Sequence, residues 1–267
     1  MKHPIMTLIV LVLHVGCDGS VSFKDRALAS IGAKHADAVL TPQDVYCSLR
    51  KHTTCTAAAL TEVLRGKLAL TAQGTGGPVR LWAPTSTGPA KLVATAGEWT
   101  TPKRGGDHTK KKSLDQWAQD ETDRMVHIVA PLRTQLTGKD QPIVESVAQI
   151  GHVGHGPRTL TVVSTGAEVS KRYGDFECHL PGPAKFAKRV LKAWPKDSLA
   201  GLRIEFVFVT GESPQRKHCV ATDKKTRAQA DAFTQAAAAA GAEAVFFIGA
   251  PTAPISKSAH SAQENVQ

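Results

Sequence analysis

Aromatic residues are scarce in this chain, at 5% of its 267 residues. A core must therefore be built from Val, Leu, Ile and Ala, which suits layered sheets and helices better than an aromatic-rich β sandwich. Long apolar runs are scarce as well. The run from Met6 to Val15 falls well short of the about 20 residues that a transmembrane helix needs. The 5 cysteines include no C-x-x-C pair, and Cys47 and Cys55 flank His52 at spacings that match no familiar zinc pattern. The loop Gly16-Cys-Asp-Gly19 has neither dinucleotide-fingerprint nor phosphate-loop spacing. No G-x-S-x-G occurs anywhere, so the serine-hydrolase elbow is absent.

What the chain has in excess is positive charge. Its 33 Lys and Arg outweigh 23 Asp and Glu, for a formal net charge of +10. Such a balance fits nucleic acid, an anionic membrane surface or an acidic protein partner. The excess gathers at Lys103-Arg104 with Lys110-Lys111-Lys112, from Lys185 to Lys192, and at Arg216-Lys217 with Lys224-Lys225. None of these is interleaved with aromatics as a single-strand binding surface would be. They read as solvated loops and helix faces, and nucleic acid is not the expected partner. His152 and His155 read as loop residues, since no group with matching spacing stands near them.

Element patterns give the fold class. Thr7 to Val15 reads as a central strand, apolar on both faces as parallel strands are. Helical spacing follows over Phe23 to Leu40, with Ser22 as N-cap, and then a strand at Val45 to Leu49. A short helix is expected at Ala57 to Leu64 and an edge strand at Val79 to Ala83. Residues 84–112, rich in Pro, Gly, Thr and Lys, read as a long irregular insertion. Ser113 opens a helix through a Ser-x-x-Gln capping box, with the stripe Leu114, Trp117, Met125, Ile128, Val129 and Leu132, which Pro131 should kink. Further helices are expected at Ile143 to Ile150, at 183–194 and at Thr226 to Ala240, the last closed by Gly241. Strands fall between them at Thr159 to Ser164, Leu202 to Thr210 and Ala244 to Ile248. Strands alternating with helices imply an α/β fold, doubly wound, with a mostly parallel central sheet and helices on both faces. The expected organisation is one three-layer domain over 5–249, followed by a disordered tail at 250–267.

The N-terminus admits two readings. Lys2, an apolar run and Gly16 before Cys17 outline a lipoprotein signal, but His14 stands where a leucine would strengthen it. The strand reading is the one the rest of the chain needs, and it goes with a cytoplasmic location. The signal reading would make the protein a cell-envelope lipoprotein.

Beyond that first strand stands Asp18-x-Ser20-x-Ser22, a carboxylate and two hydroxyls alternating along one loop. That donor set suits a hard cation such as Mg²⁺, with water in the remaining positions. The same residues also suit a plain turn and helix cap. The arrangement resembles a von Willebrand factor A-type domain, in which D-x-S-x-S follows the first strand and forms a metal-ion-dependent adhesion site. Leu40-Thr-Pro-Gln-Asp44, Arg158-Thr-Leu-Thr-Val-Val-Ser164, Tyr173-Gly-Asp-Phe176 and the segment ending Ala-Ala-Gly-Ala242 are similar to bacterial members of that family.

The resemblance implies a non-enzymatic binding or scaffold module with a protein partner. Its top face would be formed by Asp18, Ser20, Ser22, Asp140 and Thr165. It also shows departures. Lys139-Asp140-Gln141-Pro142 lacks the family's Thr, leaving Asp140 as the substitute, and Ser164-Thr165-Gly166 lacks the second carboxylate. Mg²⁺ would bind such a degenerate site weakly, because affinity follows ligand charge. An α/β enzyme acting on a nucleotide or small molecule, and a polyanion-binding basic protein, are the alternatives.

Overall fold

The apolar runs Arg158–Ser164, Leu202–Val209 and Glu243–Gly249 lie side by side as parallel strands, in register over their whole lengths. They belong to a computed structural model describing residues 10–12, 41–48, 54–85, 90–96, 114–135, 142–154, 156–164, 169–170, 172–175, 183–209 and 223–249. In chain order the elements begin with β1 (Val10–Val12), β2 (Gln43–Cys47), α1 (Thr54–Ala72), β3 (Val79–Pro84) and β4 (Ala90–Ala96). Then come α2 (Leu114–Gln135), α3 (Ile143–His152), β5 (Arg158–Ser164), β6 (Val169–Ser170) and β7 (Gly174–Asp175). The chain closes with α4 (Pro183–Val190), β8 (Leu202–Val209), α5 (Asp223–Ala239) and β9 (Glu243–Gly249).

Seven strands form one sheet in the order β1-β9-β8-β5-β2-β3-β4, and β6 and β7 pair as a separate small hairpin. Every neighbour pair is parallel except β3 and β4. Leaving β1 aside, the chain builds outward from β2 through β3 to β4, then returns and builds the other way through β5, β8 and β9. This is the doubly wound order, and it reverses between β2 and β5. Right-handed crossovers running in opposite directions must place their helices on opposite faces. The two hydrophobic clusters follow that rule. One holds Val45, Cys47, Val163 and Val207 with α1 and α2 residues such as Leu60, Leu64 and Met125. The other holds Tyr46, Val162, Phe206 and Phe246 with Val147 of α3, Val190 of α4 and Phe233 of α5. Adjacent strand residues fall in different clusters, as a two-fold side-chain period requires. The expected three-layer α/β fold is present.

Few aromatics suffice because they are concentrated. Phe233 is fully buried against Phe206 at 5.0 Å, Phe186 at 5.1 Å and Trp194 at 5.7 Å between ring centroids. The Trp194 indole donates to the Val144 carbonyl at 2.9 Å, pinning the turn after α4 to the first turn of α3. Gly241 (φ 83°) and Gly74 (φ 74°) close α5 and α1 in the left-handed conformation. In each case a six-to-one bond follows, Ala242 N–H to Ala237 O and Thr75 N–H to Leu70 O.

Several expectations change. Thr7 to Val15 is not a central strand: Val10–Val12 pairs with β9 at the sheet's end. An apolar run signals burial on two faces but does not say how many strands flank it. β3 is internal rather than an edge strand, because Ala90–Ala96, inside the stretch read as irregular, covers it as an antiparallel hairpin partner. The alternation of β4 is carried by small Ala side chains, so its apolar period is faint. α1 extends to both sides of the expected Ala57 to Leu64, since Leu60, Leu64 and Leu68 continue one buried stripe. Helical geometry continues through Pro131, and Leu114 is exposed rather than part of the α2 stripe. The expected helix over 23–40, the start of the domain at 5–9 and the tail at 250–267 lie outside the described residues.

Charges inside this sheet are paired. Asp44 of β2 is fully buried and accepts from Arg80 Nε at 2.8 Å, Arg80 Nη2 at 2.7 Å and Trp82 Nε1 at 2.7 Å, with Arg158 Nη1 at 3.8 Å. On the opposite face Glu205 of β8 accepts from Lys67 Nζ of α1 at 2.7 Å and Thr161 Oγ1 of β5 at 2.8 Å. Burial by itself pushes the Glu205 carboxyl up, but Lys67, Thr161 and Arg203 together hold it below its ordinary value. Its contribution to stability is therefore complete above the unfolded carboxylate range, about pH 4.3. It is lost as pH falls through the lower folded value.

Glu205→Leu alone should cost about 3–5 kcal/mol, because it strands the Lys67 ammonium in the core. Combined with Lys67→Met, the loss should shrink to less than about 2 kcal/mol or reverse. Equilibrium urea unfolding measures both variants; a double variant as unstable as the single one would show that the pair is not the reason.

Candidate functional site

In an open parallel sheet the strands end on either side of a crevice where the winding reverses, and ligands bind there, beyond the carboxyl ends. In this chain that place is between β2 and β5. The next residues beyond the pair Cys47 and Val163 are Ser48 and Ser164. Both are buried, at 1% and 0% exposure, and the Ser48 N–H donates to the Val163 carbonyl at 2.9 Å. Strand alternation turns both hydroxyl side chains to the face covered by α3, α4 and α5. Farther along the same level the row continues with Phe208 and Ile248, so the polar part is confined to the reversal point. The Ser48 hydroxyl has no hydrogen-bond partner among the described residues. A buried hydroxyl without a partner costs about 1–3 kcal/mol, so it marks a place where another group is expected to bond.

Helix α3 brings its positive end to the same edge. Arg158, which begins β5, donates to the Gly151 carbonyl near the end of α3, so the helix runs antiparallel to β5. Its first turn therefore points toward the carboxyl edge. There Pro142 supplies no side-chain cap, and the first turn carries one carboxylate, Glu145, at the positive end of the dipole. One turn in, Ser146 is fully buried, and its hydroxyl too has no partner among the described residues. The environment thus combines two unsatisfied hydroxyls with one helix N-terminus.

The sequence-derived site residues all lie outside the described residues: Asp18, Ser20, Ser22, Asp140 and Thr165. Their described neighbours in the chain nevertheless divide them. Thr165 follows Ser164, the last residue of β5, and Asp140 stands two residues before Pro142, which precedes α3. The Asp18 loop follows β1, which β9 and β8 separate from β5. At about 4.8 Å per strand, β1 is roughly 14 Å from β5 and 19 Å from β2. Asp18 comes six residues after Val12, a reach of about 20 Å only when fully extended.

Donor chemistry bears on the cation. Ser48 and Ser164 present neutral oxygens that suit Mg²⁺ only with carboxylates beside them. Among the described residues no group of three or more His, Cys, Asp or Glu side chains comes together. Glu145, in the first turn of α3, is a described carboxylate at this edge. Ser48 itself was not singled out in the sequence. The available signal was a hydroxyl near the end of an apolar strand, shortly before the basic Arg50-Lys51-His52. No helix among the described residues is long and apolar enough to cross a membrane.

No protein-family model matches the chain, and no curated protein matches it. Among solved structures, the human COPII-coat protein Sec24c is similar over 79% of this chain, at 9% identity and a TM-score of 0.36. The chain spans 30% of that protein's length. Strand order and layering, not this likeness, define the fold.

Ser48→Ala should leave the melting temperature unchanged or slightly raised, because it removes a hydroxyl that bonds to nothing in the described fold. A fall of more than about 4 °C in thermal unfolding would mean that the hydroxyl is bonded within the fold.

Proposed function

We propose that this chain is a non-enzymatic binding or scaffold module of von Willebrand factor A type, which engages a protein partner through the carboxyl edge of its sheet. The observation that carries this reading is the buried, unpartnered Ser48 hydroxyl beside Ser164, at the point where the strand order reverses. Thr165 and Asp140 complete the contact surface. Divalent-cation binding is a secondary and weak property, with Asp140 as the carboxylate on the α3 side and the partner's own carboxylate completing the charge. Asp18, Ser20 and Ser22 join only if their loop crosses the sheet top. When bound, Mg²⁺ would supply a bridge between the two proteins' acidic groups.

A photo-crosslinking residue placed at Thr165 should capture a discrete protein in extracts of the native host, whereas one placed at Gln73, exposed in the turn before β3 at the amino edge, should not. Equal capture at both positions would refute a carboxyl-edge site. Titration with Mn²⁺, with Asp140→Ala and Asp18→Ala beside the parent, checks the cation separately. Weaker binding by Asp140→Ala is expected. Identical titrations for all three would remove the cation and leave the module.

A further inference from the structure

Helix α4 turns its apolar stripe inward and its charge outward. Phe186, Ala187 and Val190 are buried, while Lys185, Lys188 and Arg189 are exposed. The turn that follows continues the pattern, with Lys192 and Lys196 exposed and Trp194 buried. Over residues 183–201 these five cations face a single carboxylate, Asp197. None of Lys185, Lys188, Lys192 and Lys196 has an ion-pair partner among the described residues.

The patch reaches beyond the helix. Arg189 donates to the Tyr173 carbonyl at 3.2 Å, and the Arg172 guanidinium lies 5.6 Å from the Tyr173 ring centroid. The exposed Arg172 beside the β6–β7 hairpin is thereby joined to α4. The first turn of α4 carries no acidic residue and does carry Lys185, so its cation adds to the positive dipole end instead of being offset there. Like charges three and four residues apart repel, and the fold gains nothing from them. An external anion would relieve that repulsion.

We propose that this exposed face of α4, with Arg172, docks an acidic segment of a partner protein. The inference rests on the reading of the chain as a partner-binding module and names the chemistry of the partner. Nucleic acid is disfavoured because Phe186 and Trp194 are packed on Phe233 and Tyr173 is buried, so that among the described residues of this region no ring is outside for base stacking. A lipid surface is disfavoured because the stripe that would enter it is already committed to the core, with Leu191 the one large apolar side chain exposed here. An extended acidic peptide needs only charge, spaced along one helix length.

The test uses the full chain and a fluorescein-labelled oligoglutamate of about ten residues, which fully extended is more than long enough to span the patch. Fluorescence anisotropy should show binding at low salt that weakens toward about 0.15 M salt. Lys185→Gln, Lys188→Gln and Lys192→Gln together should weaken it about tenfold or more with an unchanged melting temperature. Lys110→Gln, Lys111→Gln and Lys112→Gln together make the same change in net charge elsewhere and should weaken it much less. Equal losses in the two triple variants, or no loss in the first, would overturn the proposal. So would tighter binding of the parent to a single-stranded oligonucleotide of equal charge, or to phosphatidylserine vesicles. The Thr165 crosslink reports on the carboxyl edge independently, so either result can fail without the other.

Discussion

A parallel sheet covered on both faces has no water with which to solvate a charge, so any ionised side chain that enters it must find its counter-charge inside. This constraint organises the structure. Glu205 stands in the middle of β8 and can be ionised there only because α1 lays Lys67 across it and β5 turns Thr161 toward it. Three elements separated widely in the chain are thereby held in one relative position. The pair is not a large net source of stability, since dehydrating both ions offsets most of their attraction. Its effect is on arrangement: moving α1 by one turn, or β8 by one residue, would leave two bare charges in the core.

Asp44 does the same on the other face, near the amino ends of the strands. Its two oxygens are shared between the fork of Arg80 and the indole of Trp82 on β3, with Arg158 of β5 close by. Burial lowers the Arg158 pKa from its ordinary value; Asp44 opposes that shift and Arg80 reinforces it. Arginine nonetheless remains charged at any accessible pH. The hydroxyls of Ser48 and Ser146 lie toward the carboxyl ends of β2 and β5, where the fold supplies them no partner among the described residues. At the amino ends too, Arg158 Nη1 and the Ser198 hydroxyl have no hydrogen-bond partner among the described residues.

Much of this was legible beforehand, because it depends on local pattern. The strands at 158–164, 202–209 and 243–249 appear as apolar runs of strand length, and α5 appears as a helix closed by Gly241. Alternation of strands with helices led to the doubly wound class. The failures share a cause, which is that pattern reports burial but not neighbours. Val10–Val12 looks as apolar as a central strand yet stands at the sheet's end, and β4 escaped notice because Ala side chains carry its alternation. The same limit applies to Ser48, whose place at the reversal point depends on a pairing with β5 that no local pattern contains.

The sequence by itself determined the class of fold, the lengths of most elements and the outward placement of the basic residues of α4, since each follows from side-chain period and turn chemistry within a short window. Only the tertiary structure decided which strand sits where the winding reverses. That choice depends on long-range pairings, β2 with β5 and Lys67 with Glu205 across 138 residues, which no local window contains. It is also the choice that puts Ser48 beside Ser164 where the winding reverses.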